Sequence, residues 1–166
     1  MIIGVVSDTH GHEHYTRQAV RMLGALGVER IIHCGDIGSV AIPPMFQQWP
    51  TDFVFGNVDG NRAELQQAIE KHPDHCCHGR VATIRLHGRT ITALHGDDAT
   101  GLEAACNDDS NDLVCFGHTH QSECQKIGKT LVLNPGALYR ARPHSLAVVD
   151  LETMDANIIS LADQTR

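Results

Sequence analysis

Five short stretches of the chain carry side chains of the kinds that bind metal ions. They are Ser7-Asp8-Thr9-His10-Gly11, Cys34-Gly35-Asp36, Gly56-Asn57-Val58-Asp59, Leu94-His95-Gly96-Asp97 and Gly117-His118-Thr119-His120, each following an apolar run. Asp-x-His and His-x-His place two side chains on one side of an extended backbone, because alternate residues share a face. Glycine beside these groups lets the chain turn sharply and lets a ligand approach the backbone. Together the stretches offer seven donors: Asp8, His10, Asp36, Asn57, His95, His118 and His120. One ion with an open position cannot use so many, whereas two ions sharing a carboxylate can. Imidazole and carboxylate donors without thiolate suit Mn, Fe or Zn better than calcium or a soft metal. Two ions about 3.5–4 Å apart clamp both the attacking and the leaving oxygen of a phosphoryl displacement.

Taken singly, each stretch also has an ordinary explanation. Asp8 is placed to cap a helix near Glu13. Gly35-Asp36 fits many turns, and Asn57 is a common turn residue. Gly117-His118-Thr119-His120 is the most specific, since paired histidines at a strand end are seldom needed for folding. The full set in this order, each stretch behind an expected strand, carries what no single motif does.

The elements that must position these groups are legible from periodicity. Apolar runs predict strands over 2–7, 29–34 and 52–55, alternating with helices over 13–26, 40–49 and 62–71. The first helix shows Ala19, Met22, Leu23 and Leu26 at helical spacing with Gly27 at its end, and the second carries Pro43 and Pro44 in its first turn. Strand and helix in alternation predict a parallel sheet with right-handed crossovers. In the second half, 80–86 and 90–94 read as a hairpin through His87-Gly88-Arg89, followed by a short helix over 101–107 and a strand over 113–116. A second hairpin over 123–127 and 130–133 turns at Gly128-Lys129, and 144–151 pairs with 156–161 to close the fold. The expected architecture is two packed sheets with helices outside. Ligands in open α/β sheets bind beyond the carboxyl ends of the strands, so loops far apart in sequence converge there.

The 166 residues, without repeat or linker, predict one domain over 1–166. Thirteen Lys and Arg against 20 Asp and Glu give a net charge of -7, which argues against long nucleic acid as a partner. A small anionic substrate stays compatible where metal ions supply positive charge. No apolar run approaches the roughly 20 residues that span a bilayer, so no membrane is expected. The apolar start, Met1 to Val6, has no basic segment before it and reads as a buried strand rather than a signal peptide, making the cytoplasm the expected address. The six cysteines are expected to be reduced and mostly core filling. Exposed sheet edges leave a homo-oligomer possible.

The ordered set Asp8-x-His10, Gly35-Asp36, Gly56-Asn57-x-Asp59, His95-Gly96 and Gly117-His118-x-His120 resembles the calcineurin-like metallophosphoesterases over residues 2 to about 161. Asn134-Pro135-Gly136 matches a segment of the short members, and the chain is most similar to YfcE-type phosphodiesterases. The resemblance implies a four-layer α/β/β/α sandwich. It implies one metal on Asp8, His10, Asp36 and His120 and another on Asp36, Asn57, His95 and His118. Asp36 would bridge the ions, and a hydroxide shared between them would attack phosphorus in line. Catalytic duty would fall on Asp36, Asn57, Asp59 and His95. The ions would be two divalent metals, manganese first, with Fe, Zn or Ni as alternatives. The implied substrate is a small phosphodiester. A phosphomonoester or nucleotide pyrophosphate, and a non-catalytic protein-interaction scaffold of the same fold, are the alternatives. Val58 departs from the pattern: many members carry there a histidine thought to protonate the leaving group. Leaving groups that need little protonation should suffer least.

Other residues are read beside these. Arg62 is placed to meet a phosphate oxygen bidentately. His12, beside the first motif, is a candidate for substrate contact, with His14 its neighbour. Asp59 either orients its loop or takes part in proton transfer. His33 is expected to be a packed, hydrogen-bonded core residue, and Tyr139, Arg140 and Arg142 to line the pocket mouth. The dense run His72, Asp74, His75, Cys76, Cys77 and His78 is expected to be a surface loop near the rim; a structural zinc is the lesser alternative, since adjacent cysteines point apart.

Overall fold

The computed structural model describes residues 1–162. In its first half β1 (Ile2–Val6), β2 (Arg30–His33), β3 (Thr51–Phe53) and β4 (His75–Cys77) are joined by α1 (Glu13–Ala25), a 3₁₀ turn (Pro43–Phe46) and α2 (Arg62–Glu70). These four strands are parallel. The second half contributes β5 (Val81–Leu86), β6 (Arg89–Leu94), α3 (Ala99–Asn107), β7 (Leu113–Cys115), β8 (Glu123–Ile127), β9 (Thr130–Asn134), β10 (Ser145–Asp150) and β11 (Asp155–Ser160). One sheet has the order β11-β10-β1-β2-β3-β4, the other β5-β6-β7-β9-β8. In the second sheet β6, β7 and β9 run parallel.

Alternation along the strands builds the layers. Ile3 and Val5 of β1, Ile32 of β2 and Val54 face Ala82, Ile91, Ala93, Leu113 and Leu133 across the gap between the sheets. The opposite face of the first sheet, with Val6, Ile31 and Phe53, is covered by Ala19 and Leu23 of α1 and Leu65 and Ile69 of α2. The outer face of the second sheet, with Leu94, Val114 and Val132, is covered by Leu102, Ala105 and Cys106 of α3. The result is the expected α/β/β/α sandwich of two mixed sheets. The three strands that precede the first three motifs run parallel, as do the two that precede the last two, so all five motifs leave carboxyl ends.

Four expectations are corrected. The helix expected over 40–49 is only the 3₁₀ turn Pro43–Phe46. Pro43 and Pro44 lack N–H donors, and Pro50 biases Trp49 away from helical geometry. The 72–78 run is not a loop throughout, because His75–Cys77 adds a parallel edge strand to β3. Its two cysteines do point apart: Cys77 packs toward the helices, while Cys76 is exposed. The strand expected over 52–55 begins and ends earlier, at Thr51 and Phe53. The first hairpin turns at His87 and Gly88, with φ of 50° and 75°, so Arg89 already belongs to β6.

Candidate metal centre

The seven donors leave β1, β2, β3, β6 and β7 and meet at the shared end of the two sheets. Asp8 N–H donates to the Gly35 carbonyl at 3.1 Å, and Gly117 N–H donates to the His95 carbonyl at 2.9 Å. His118 N–H donates to Asp8 Oδ2 at 3.1 Å, tying one sheet to the other. Asp8 does not cap α1; His12 does, accepting from Tyr15 N–H through its ring at 3.5 Å.

The donors form two groups. In one, His10 Nε2 lies 3.3 Å from His120 Nε2. Asp8 Oδ1 lies 3.7 Å from His10 Nε2 and 3.2 Å from His120 Nε2. In the other, His95 Nε2 lies 3.1 Å from Asn57 Oδ1, and the His95 and His118 rings are 5.1 Å apart. Asp36 stands between the groups. Its Oδ1 is 3.3 Å from His95 Nε2 and its Oδ2 is 3.7 Å from His10 Nε2.

The backbone is bent to reach this arrangement. Asp8, His10, Asp36, His118 and His120 all have φ between 46° and 68°, in the left-handed region. That region costs a residue with a Cβ roughly 1–2 kcal/mol, and such residues cluster where surrounding structure and function hold them. Five of the seven donors share this conformation, against three other non-glycine residues among those described.

Protonation states follow from the partners. His95 Nδ1 donates to the Cys34 carbonyl at 2.8 Å and His120 Nδ1 to the Arg140 carbonyl at 3.1 Å. A carbonyl accepts only, so each Nδ1 carries hydrogen and each Nε2 is the nitrogen left for an ion. Burial pushes the His10 pKa down, and its carboxylate neighbours only partly offset this. For His95 burial also opposes the charged form, but the hydrogen bonds to Asp36 and the Cys34 carbonyl outweigh it and its pKa is raised. Burial would raise Asp36; the His95 hydrogen bond and charge and the Val58 N–H at 3.1 Å overcome it and hold the carboxyl below its ordinary value. Burial takes His33 down to about 3, so it stays neutral against Thr9 Oγ1 at 3.0 Å, as a packed core residue.

These residues fit divalent ions. Asp8 Oδ1 is buried without a hydrogen-bond partner, a state that native proteins rarely tolerate unless something else satisfies the group. The Nε2 atoms of His10, His95 and His120 converge on the Asp8 and Asp36 carboxylates. Asp8, His10 and His120, and again Asp8, Asp36 and His95, bring ligand atoms within 4.8 Å of one another.

The calcineurin-like phosphoesterase superfamily domain matches residues 1–154. The chain belongs to this superfamily. A phosphodiesterase of Methanocaldococcus jannaschii is 28% identical over 165 residues, covering 97% of this chain and 99% of that protein. A probable metallophosphoesterase of Methanothermobacter thermautotrophicus is 31% identical over 170 residues, covering 96% and 92%. The solved structure of an archaeal phosphodiesterase superposes with a TM-score of 0.89 at 28% identity over 97% of this chain and 100% of that one. YfcE of E. coli shares the fold, with a TM-score of 0.68 at 14% identity over 98% and 100%.

Around the donors this phosphoesterase builds supports that the sequence did not assign. Asp59 is 2% exposed and accepts from Ile37 N–H at 3.2 Å, Gly38 N–H at 2.9 Å and Gly56 N–H at 2.8 Å. It ties the Asp36 loop to the Asn57 loop, which favours orientation over proton transfer. Asp59→Ala leaves three amides without an acceptor, and at about 1 kcal/mol or more each it is expected to lower Tm by roughly 6–12 °C, as read by calorimetry of the metal-free protein. Asn134 Nδ2 donates to the Gly117 carbonyl at 2.9 Å and Thr119 Oγ1 at 3.1 Å, so Asn134-Pro135-Gly136 braces the His118 loop.

The remaining candidates lie further out. Arg62 is exposed on α2, with Nε donating to the Asp59 carbonyl at 3.3 Å and the guanidinium 5.9 Å over the Phe55 ring. His12 stacks on Tyr139 with centroids 4.2 Å apart, and exposed His14 meets Gln18. Asp52, Cys76 and His78 come within 4.8 Å of one another, but Asp52 is already held by Arg30 Nε at 2.6 Å and His78 Nε2 at 2.7 Å. This grouping reads as an ion-pair network at the sheet edge. No helix is long and apolar enough to cross a membrane among the described residues.

Proposed function

We propose that this phosphoesterase is a phosphodiesterase working with two divalent ions, one on Asp8, His10, Asp36 and His120 and the other on Asp36, Asn57, His95 and His118. The observation that carries this reading is the position of Asp36, whose two oxygens face different donor groups. A bound pair of ions would supply positive charge for phosphate oxygens and activate water at neutral pH. The chain's own part is to hold and orient. Asp36 keeps its charge, His95 and His120 keep their Nε2 lone pairs aimed inward, and Asp59 fixes the distance between two of the loops. The sets mix imidazole, carboxylate and amide oxygen, which favours manganese, with Fe, Zn or Ni able to occupy the same donors.

Val58 is 49% exposed beside these loops, and valine donates no proton. Esters with good leaving groups are therefore the preferred class. The test is hydrolysis of bis(p-nitrophenyl) phosphate by metal-stripped protein before and after adding Mn²⁺, with the p-nitrophenyl monoester and a dinucleoside polyphosphate beside it. Turnover that needs metal and favours the diester is expected. Monoester or pyrophosphate preference would replace the diesterase reading. A folded protein with no turnover under several metals would replace it with a scaffold.

Metal affinity should depend on pH with a defined sign. The metal-free site binds a proton at His95, whose pKa is raised above 6.5. The ion must displace that proton, so Mn²⁺ affinity is expected to weaken about tenfold per unit as pH falls below that raised value. Calorimetric Mn²⁺ titrations between about pH 5.5 and 8 check this; constant affinity across that window would contradict it.

A further inference from the structure

Besides a small cleft of about 110 Å³ at His95, two larger clefts lie next to the donor loops, and their linings differ in kind. One, of about 260 Å³, is lined by Ser39, Val40, Val58, Asn61 and Glu64 among others, with no basic residue. Val40 and Val58 are two of the largest exposed apolar side chains of the molecule, at 47% and 49%. The other, of about 440 Å³, is lined by Tyr15, Tyr139, Arg140, Ala141, Arg142 and His144 and has no acidic residue. Its size falls within the range of small-molecule sites, about 300–1,000 Å³.

The second cleft is fastened to the donors. Leu138 N–H donates to the Ser7 carbonyl and Tyr139 N–H to the Asp8 carbonyl, both at 3.1 Å. The Arg140 carbonyl accepts from His120 Nδ1 at 3.1 Å. His12, two residues past His10, stacks on Tyr139 with ring planes 16° apart, and Arg140 lies 5.8 Å from the Tyr139 centroid. Tyr15 meets His144 with centroids 3.8 Å apart and ring planes tilted by 33°. An aromatic cluster with two guanidinium groups therefore adjoins the Asp8, His10 and His120 group, in a chain whose net charge is -7. Guanidinium is the side chain best matched to phosphate oxygens, and the aromatic cluster offers apolar area to a sugar or base.

We propose that this cleft binds a second phosphate on one ester arm of the substrate, so that the substrate class is phosphodiesters carrying an additional phosphate. The inference rests on the diesterase reading and adds the identity of one arm to it. The cleft at Val40 and Val58, which holds Asp59 and Glu64 and no cation, takes the arm without a phosphate.

The experiment compares thymidine 5′-(p-nitrophenyl phosphate) with the same ester bearing a 3′-phosphate, using metal-loaded full-length protein. Both release p-nitrophenolate, so the reacting bond is the same. The 3′-phosphate is expected to raise kcat/KM at least about tenfold, mainly through KM. Arg142→Ala should bring the ratio of the two substrates to about one, and Arg142→Lys should recover part of it. Turnover of both substrates at equal kcat/KM by the unaltered protein would overturn the inference while leaving the diesterase reading in place. If neither ester nor bis(p-nitrophenyl) phosphate is turned over, the diesterase reading fails. The arm is then decided by binding, with thymidine 3′,5′-bisphosphate set against the 5′-monophosphate by calorimetry: tighter binding of the bisphosphate, lost in Arg142→Ala, supports it, and equal affinity overturns it.

Discussion

Asp36→Asn is expected to lower kcat/KM for bis(p-nitrophenyl) phosphate by about 10³-fold or more, with the fold intact. The substitution keeps size and shape but leaves one oxygen where there were two. Asp36 is 3% exposed and is the only donor within 4 Å of histidines from both groups through separate oxygens, at 3.3 Å and 3.7 Å. Asn57 serves one group, and Asp8, though within 4.8 Å of a His95 nitrogen, comes within 4 Å only of the His10 and His120 rings, so neither matches its position. Metal content measured by mass spectrometry should fall from two ions per chain toward one or none. Circular dichroism should stay unchanged, because the Val58 N–H still finds an acceptor in the amide oxygen. Full activity with two ions bound would remove Asp36 from the centre of the site.

The second large effect comes from a residue that binds nothing. A Cβ on Gly56 would fall on Asp36 Oδ1 and the Asp36 backbone nitrogen. Gly56 cannot back away freely, since its N–H donates to Asp59 Oδ2 at 2.8 Å. The Asp36 carboxylate must therefore yield, and displacement near 1 Å at a reacting centre costs about 10²-fold. Gly56→Ala is expected to lose at least that factor in kcat/KM and about 1–3 kcal/mol of stability from overpacking. Gly60→Ala is the control, because nothing lies within 4 Å of its added Cβ. Equal activity of the two variants would mean that the Asp36 position is not critical.

The candidate donors, which the structure brings together, stood out in the sequence because metal chemistry restricts residue type, and because the apolar runs before them are long enough to announce strands. The sandwich followed from the change from strand-helix alternation to paired hairpins. What stayed hidden has physical causes. The three residues of β4, His75–Cys77, pair with one neighbour only and hold too few apolar positions to show a period. The carbonyls of Cys34 and Arg140, which fix the tautomers of His95 and His120, are main-chain atoms that any residue would supply. Asp59 was noticed as a carboxylate, but its three amide partners come from positions 37, 38 and 56, which only the folded loops bring together. Arg62 looked well placed in sequence, yet one helical turn directs it onto the Asp59 carbonyl and the Phe55 ring.

The left-handed conformations of Asp8, His10, Asp36, His118 and His120 set a direction for sequence drift. Each of these sites folds more comfortably with glycine or asparagine, so selection for stability alone would erode the donors one by one. A lineage that no longer needed the ions would gain robustness by losing them. On the two-ion reading their joint presence in this chain reflects a demand for the ions, and engineering for thermostability should leave these five positions untouched.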